Sequence, residues 1–103
     1  MRVIARATLV RFWEKHASAK TPLEAWFAEA KAASWSSPQE IKNRYASADF
    51  LADNRVVFNI KGNHYQLIVQ IQYQAKIVWI KFVGTHDEYD KIDAATVDMS
   101  RRV

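Results

Sequence analysis

The hydrophobic period of this chain changes near residue 55, and that change limits the fold more than any other feature. Before it, apolar residues recur every three or four positions. After it, Val56, Phe58 and Ile60 alternate with Val57 and Asn59. Tyr65, Leu67, Val69, Ile71 and Tyr73 then define one face of a second run, with His64, Gln66, Ile68, Gln70 and Gln72 on the other. A period of two is the signature of extended strands. Lys61-Gly62-Asn63 separates the two runs, and Gly and Asn tolerate the positive φ of a tight hairpin turn. Gln74-Ala75 marks a second turn. The run from Lys76 to Val83 is apolar on both faces, as a central strand is, with Lys81 as its polar exception.

The first half has the other period. Leu9, Val10, Phe12, Trp13 and Ala17 recur at helical spacing from about Ala7 to Ala17. Thr21-Pro22-Leu23-Glu24 reads as a helix start with a Thr cap and a capping box, and Leu23, Trp26, Phe27 and Ala30 share one face before the helix ends near Ala33. Ser37-Pro38-Gln39-Glu40 repeats the signal and opens a short helix through Ile41 and Tyr45. Arg2-Val3-Ile4 reads as a short first strand, and Thr85-His86-Asp87-Glu88 caps a last helical turn. The expected architecture is α+β: N-terminal helices packed on one face of a small antiparallel sheet, a solvated opposite face, and a short C-terminal helical turn. The 103 residues suit a single domain spanning 1–103.

Composition excludes several classes of function. The absence of Cys removes disulfides, thiolate metal sites and a Cys nucleophile. No apolar run approaches the roughly 20 residues of a membrane helix. The opening Met-Arg-Val-Ile-Ala-Arg lacks the apolar stretch of a signal peptide, so a cytoplasmic protein without a membrane association is expected. The net charge is +4 and is unevenly distributed. Residues 1–20 hold five Lys/Arg against Glu14, residues 51–83 hold four against Asp53, and residues 84–100 are acidic. Two basic regions suit a polyanion such as RNA; a modest Lys excess also simply keeps a small protein soluble.

The chemistry-bearing residues cluster late. His86 is the side chain best suited to proton transfer near neutral pH. Tyr89 and Asp90 follow three and four residues on, which on a helical turn returns them to its side, where Asp90 can orient the imidazole. Lys81 either snorkels to solvent or stands on the open face beside Gln66, where a phosphate fits. Lys61 and His64 flank the hairpin turn as phosphate contacts, and Arg55 belongs to the same basic region. Trp79 shares a strand face with Lys81 and is the one Trp suited to stacking on a base; Trp13 and Trp26 lie on apolar helical faces. One His among carboxylates is a poor metal-ligand set. The expectation is one anion-receptive hollow holding both Lys81 and the His86–Asp90 corner.

Taken together, these residues carry a family likeness. Asn54-Arg55-Val56-Val57-Phe58-Asn59-Ile60-Lys61-Gly62-Asn63, a Tyr-x-Leu strand, and Phe82-Val83-Gly84-Thr85-His86-x-Glu88-Tyr89-Asp90-Lys91 resemble the HigB-type toxins of bacterial toxin–antitoxin systems, within the RelE-like group. Phe12-Trp13-Glu14-Lys15-His16 and Ala48-Asp49-Phe50 fit the same pattern. The resemblance implies a ribosome-associated mRNA interferase that needs no metal or other cofactor. Such a toxin polarises a ribose 2′-hydroxyl for attack on the adjacent phosphate. It also implies a cognate helix-turn-helix, HigA-like antitoxin, with operator DNA reached only through that partner. By the same resemblance His86, Lys81, Tyr89, Asp90 and Gln66 are the catalytic candidates and Lys61, His64, Arg55 and Trp79 the RNA-binding ones. One position departs from the pattern: Gln66 stands where the family usually has Arg after the strand Tyr. Charge-assisted hydrogen bonds are roughly twice as strong as neutral ones. The substitution implies a weakened toxin, a natural variant compensated by Lys81 or Lys61, a change introduced so that the host survives expression, or an RNA- or ribosome-binding module without catalysis.

Overall fold

A computed structural model describes residues 1–99. Its elements in chain order are β1 (Arg2–Ile4), α1 (Arg6–Lys15), a 3-10 turn (Ala17–Ala19), α2 (Lys20–Ala32), α3 (Pro38–Arg44), β2 (Asp49–Leu51), β3 (Arg55–Ile60), β4 (Tyr65–Gln72), β5 (Ile77–Thr85) and α4 (His86–Tyr89). The strands form one sheet in the order β1-β5-β4-β3-β2. The expected meander is its centre, β3-β4-β5, with antiparallel pairing throughout. Two short edge strands extend it, β1 parallel to β5 and β2 antiparallel to β3, so the sheet is mixed. β2 is only three residues long, too short for alternation to reveal it.

Local chemistry explains most of the boundaries. Ser37 and Glu40 form the expected reciprocal capping box at α3, and Thr85 and Glu88 form another at α4. At α2 the expected Thr21 cap is absent. The 3-10 turn runs directly into the helix, so the N-cap position falls on Ala19 and Thr21 lies inside the first turn. In the β3–β4 hairpin the left-handed residues are Lys61 (φ 54°) and Gly62 (φ 65°).

The helices cover one face of the sheet. Leu9, Leu23, Trp26 and Ile41 pack there on Val56, Phe58, Leu67, Val69, Ile71 and Ile80. Trp13, Trp26 and Trp35 all lie in this core. The second face is not the solvated surface that its glutamines suggest. Val57, Ile68 and Phe82 form a smaller core, covered by Leu51, Tyr89, Ile92, Ala94 and Val97. The chain after α4 thus folds back across the sheet. A β-bulge makes this two-sided arrangement possible: Ile68 pairs with Phe82 but Val69 with Ile80, leaving Lys81 as the extra residue. The bulge places Ile80 in the helix-side core and Phe82 in the second.

Candidate active site

The chemistry-bearing side chains meet where the β3–β4 hairpin touches the start of α4. The register places Tyr65 opposite Thr85 and Gln66 opposite Gly84. The His86 backbone N–H donates to the His64 carbonyl at 3.1 Å, joining the hairpin to the helix. Between them lies an open depression of about 360 Å³ lined by Asn63, His64, Thr85, His86 and Asp87. Gly84 sits beneath the Phe82 ring, and a Cβ there would come within 2.4 Å of that ring. Any side chain at this position would displace the Phe82 ring, so glycine suits the strand where it passes under Phe82 before α4 begins.

The two imidazoles are held differently, one by a hydrogen bond and one by a longer contact with a carboxylate. His64 Nδ1 lies 2.9 Å from the Lys61 carbonyl oxygen. A carbonyl only accepts, so Nδ1 carries the proton and Nε2 of the neutral ring is an acceptor. His86 Nε2 lies 3.5 Å from Asp90 Oδ2, the i,i+4 relation expected from the sequence. Tyr89 turns the other way. Its ring packs 6.4 Å from that of Phe82, within the second core. Burial, and then the negative charges of Asp49 and Asp90, push its phenol pKa up, so it remains a proton-bearing group.

Gln66 is 2% exposed, not displayed on an open face. Its Nε2 donates to Asn63 Oδ1 at 2.8 Å, Asn59 Oδ1 at 3.3 Å and the Asn63 carbonyl at 3.5 Å. Its Oε1 is buried without a partner. Asn59 and Asn63 escaped the sequence reading as site residues because both sit where a hairpin turn already accounts for an Asn. The available signal was spacing: Asn63 precedes Gln66 by three residues and reaches it across the turn.

The structure does not bring Lys81 into the depression. Its Nζ is 3.1 Å from Asp98 Oδ2, with the two side chains 13% and 17% exposed. The bulge also sets the ammonium 5.8 Å from the Trp79 ring centroid, so these two do share a face as expected. The Lys81 carbonyl accepts from the Met99 N–H at 2.7 Å, closing the returning chain against β5. Arg55 is likewise inside, 7% exposed. Its Nη1 donates to the carbonyls of Ala94 (3.1 Å) and Val97 (2.8 Å), so it ties down the segment that covers the second face. Two cations expected to face a polyanion are thus engaged by the chain after α4, whose sequence gave no periodic signal. Lys61 and His64 remain exposed at the turn. Among the described residues no three His, Asp or Glu side chains converge into a metal-ligand set, and no helix is long and apolar enough to cross a membrane.

The α+β fold, with helices on one face of a five-stranded mixed sheet, is consistent with the RelE-like class. Residues 19–92 match the profile of the HigB_toxin family, described as the RelE-like toxic component of a toxin–antitoxin system. The chain belongs to that family. The mRNA interferase toxin HigB of Escherichia coli strain K12 is 28% identical over 92 residues, covering 87% of this chain and 88% of that protein. The mRNA interferase HigB of Escherichia coli O6:H1 is 26% identical over 94 residues, covering 89% and 91%. The mRNA interferase HigB of Shigella flexneri is 28% identical over 92 residues, covering 87% and 88%. Family membership carries with it an antitoxin partner.

Proposed function

We propose that this chain is an mRNA endoribonuclease, the toxin of a toxin–antitoxin pair, acting in the cytoplasm on ribosome-associated message. The observation that carries the reading is the pairing of two imidazoles, His64 and His86, on the walls of one open depression. RNA cleavage by its own 2′-hydroxyl needs a proton acceptor on one side of the phosphate and a donor on the other. His64 Nε2, left free by the Lys61 carbonyl, takes the 2′-hydroxyl proton. The 2′-oxygen attacks phosphorus, and the bond to the 5′-oxygen breaks. His86, oriented by Asp90, gives that oxygen a proton. The products are a 2′,3′-cyclic phosphate and a 5′-hydroxyl, and no metal enters the sequence. Lys61 supplies positive charge at the turn. Support comes also from the relatives, whose names describe mRNA interferases. The antitoxin is expected to be a helix-turn-helix, HigA-like protein that carries the operator contact.

A second reading has its own support. Gln66 puts no charge where the family usually has Arg, and Lys81 is engaged by Asp98. Both favour a weakened toxin that binds RNA or the ribosome with little catalysis. Mapping of mRNA 5′ ends after induced expression separates the two. New 5′-hydroxyl ends that vanish with His86→Ala support the nuclease. Growth arrest without new ends, unchanged in His86→Ala, supports the binding module.

A further inference from the structure

Asn63 stands between the buried Gln66 and the open depression. It follows the two left-handed residues of the hairpin, Lys61 and Gly62, and directly precedes His64. It is exposed and lines the depression together with both imidazoles. Its amide is held from one side. Oδ1 accepts from Gln66 Nε2 at 2.8 Å, and Gln66 is 2% exposed and lies outside the lining of the depression. The oxygen and the nitrogen of a carboxamide project to opposite sides of the same carbon. Fixing Oδ1 on a buried donor therefore turns Nδ2, with its two N–H groups, away from Gln66. Nδ2 has no acceptor among the described residues.

We infer that Asn63 Nδ2 donates to a non-bridging oxygen of the scissile phosphate, which makes Asn63 a further catalytic residue and Gln66 the residue that positions it. The inference rests on the nuclease reading above. The other groups lining the depression have tasks of their own. His64 and His86 carry the protons in that reading. Thr85 Oγ1 accepts from the Glu88 N–H as the cap of α4, and Asp87 is a carboxylate that a phosphate repels. When the 2′-oxygen attacks, a fifth oxygen joins phosphorus and negative charge grows on the non-bridging oxygens. A donor already held in place is worth more to that state than to the starting phosphodiester. The arrangement also gives Gln66 a task that needs no charge, because an amide N–H is enough to hold the Asn63 oxygen.

The test is the rate at which 5′-hydroxyl ends form on one mRNA in a translation reaction supplied with the purified full chain, read as kcat and KM. Asn63→Asp keeps Oδ1 for Gln66 and removes the N–H donors. Asn63→Ala removes the donors without adding charge. Both are expected to lower kcat about 10²–10³-fold, the usual loss for one such donor. Asn63→Ala is expected to leave KM within about twofold, as for a contact made in the transition state alone. Asn63→Asp, which keeps the bond to Gln66, is expected to melt within a degree or two of wild type. If Asn63 served only to brace Gln66, Asn63→Asp would cut like wild type; if charge alone mattered, Asn63→Ala would. Wild-type kcat in either variant overturns this inference and leaves the nuclease reading standing. Absence of cuts in wild type overturns both.

Discussion

Gln66 Nε2 lies 2.8 Å from Asn63 Oδ1, inside a ring of three acceptor oxygens that has no positive charge at its centre. The ring suits a donor-rich side chain, and the buried, unpartnered Oε1 is the part of Gln66 that does not match it. Gln66→Arg adds donors and a charge at the position where the family usually has both. We expect about a tenfold gain in cleavage, from replacing neutral with charge-assisted bonds. The salt dependence of RNA binding should steepen by about 0.7 in log–log slope, the value for one added contact to a single strand. Cleavage assays and binding titrations across salt concentrations check both numbers. An unchanged slope means that position 66 does not meet phosphate.

His86 is exposed on α4, and its Nε2 lies 3.5 Å from the Asp90 carboxylate. His86→Ala should therefore leave the melting temperature within a degree or two of wild type while cleavage falls about 10²–10⁴-fold. His64→Ala is expected to behave the same way and to remove the opposite limb of the pH–rate profile. The surrounding charges are Lys61 on the hairpin side and Asp87, Glu88 and Asp90 on the helix side. Toxicity that survives either substitution in a folded protein counts against the acid–base pair.

The sequence disclosed the parts of this fold that rest on local signals. Alternation from Val56 to Val83 gave the three central strands, and Ser37–Glu40 and Thr85–Glu88 gave two helix starts that the structure contains. The i,i+4 rule put His86 beside Asp90. What stayed hidden was long-range. Arg55 lies 39 residues from Ala94, and Lys81 lies 17 from Asp98; no local pattern announces such contacts. The polar residues at 66, 70 and 72 suggested a wet face. Ile68 was the exception among them, and it is the residue that Phe82 and the returning chain cover. The bulge at Lys81 was equally invisible, because a single extra residue in an apolar run leaves period-two counting intact on either side.

Stability should fall at alkaline pH, and the phenols give the reason. Burial, followed by the Glu29 hydrogen bond and charge, raises the Tyr45 pKa above its ordinary value of 10. Burial also raises those of Tyr73 and Tyr89. A raised folded-state pKa means that the unfolded chain loses its proton first. The stability linked to these groups is complete below pH 10 and is lost as pH rises above it. Urea midpoints measured from pH 8 to pH 11 should decline at the upper end, and Tyr45→Phe should flatten the decline. At the acid end, Glu29 is held below its usual value by the Tyr45 hydroxyl and then by Arg44. Its contribution is present above about pH 4.5 and disappears as pH falls further, so Glu29→Gln should blunt acid unfolding.

Arg55 provides the sharpest distinction between a surface cation and an internal one. Its guanidinium is enclosed, and Nη1 satisfies the carbonyls of Ala94 and Val97, which hold Ile92, Ala94 and Val97 over Val57, Ile68 and Phe82. Arg55→Ala removes two charge-assisted bonds and leaves both carbonyls without that donor. We expect a loss of about 2–4 kcal/mol in urea unfolding. Hydrogen exchange should accelerate first at Thr96 and Val97, whose N–H groups bond within the same segment, and only later in β3 and β4. An Arg that met RNA instead would leave stability nearly unchanged and lower the salt slope of RNA binding. Arg55→Ala is expected to keep that slope, and a slope reduced by about 0.7 with wild-type stability would return Arg55 to the RNA-facing surface.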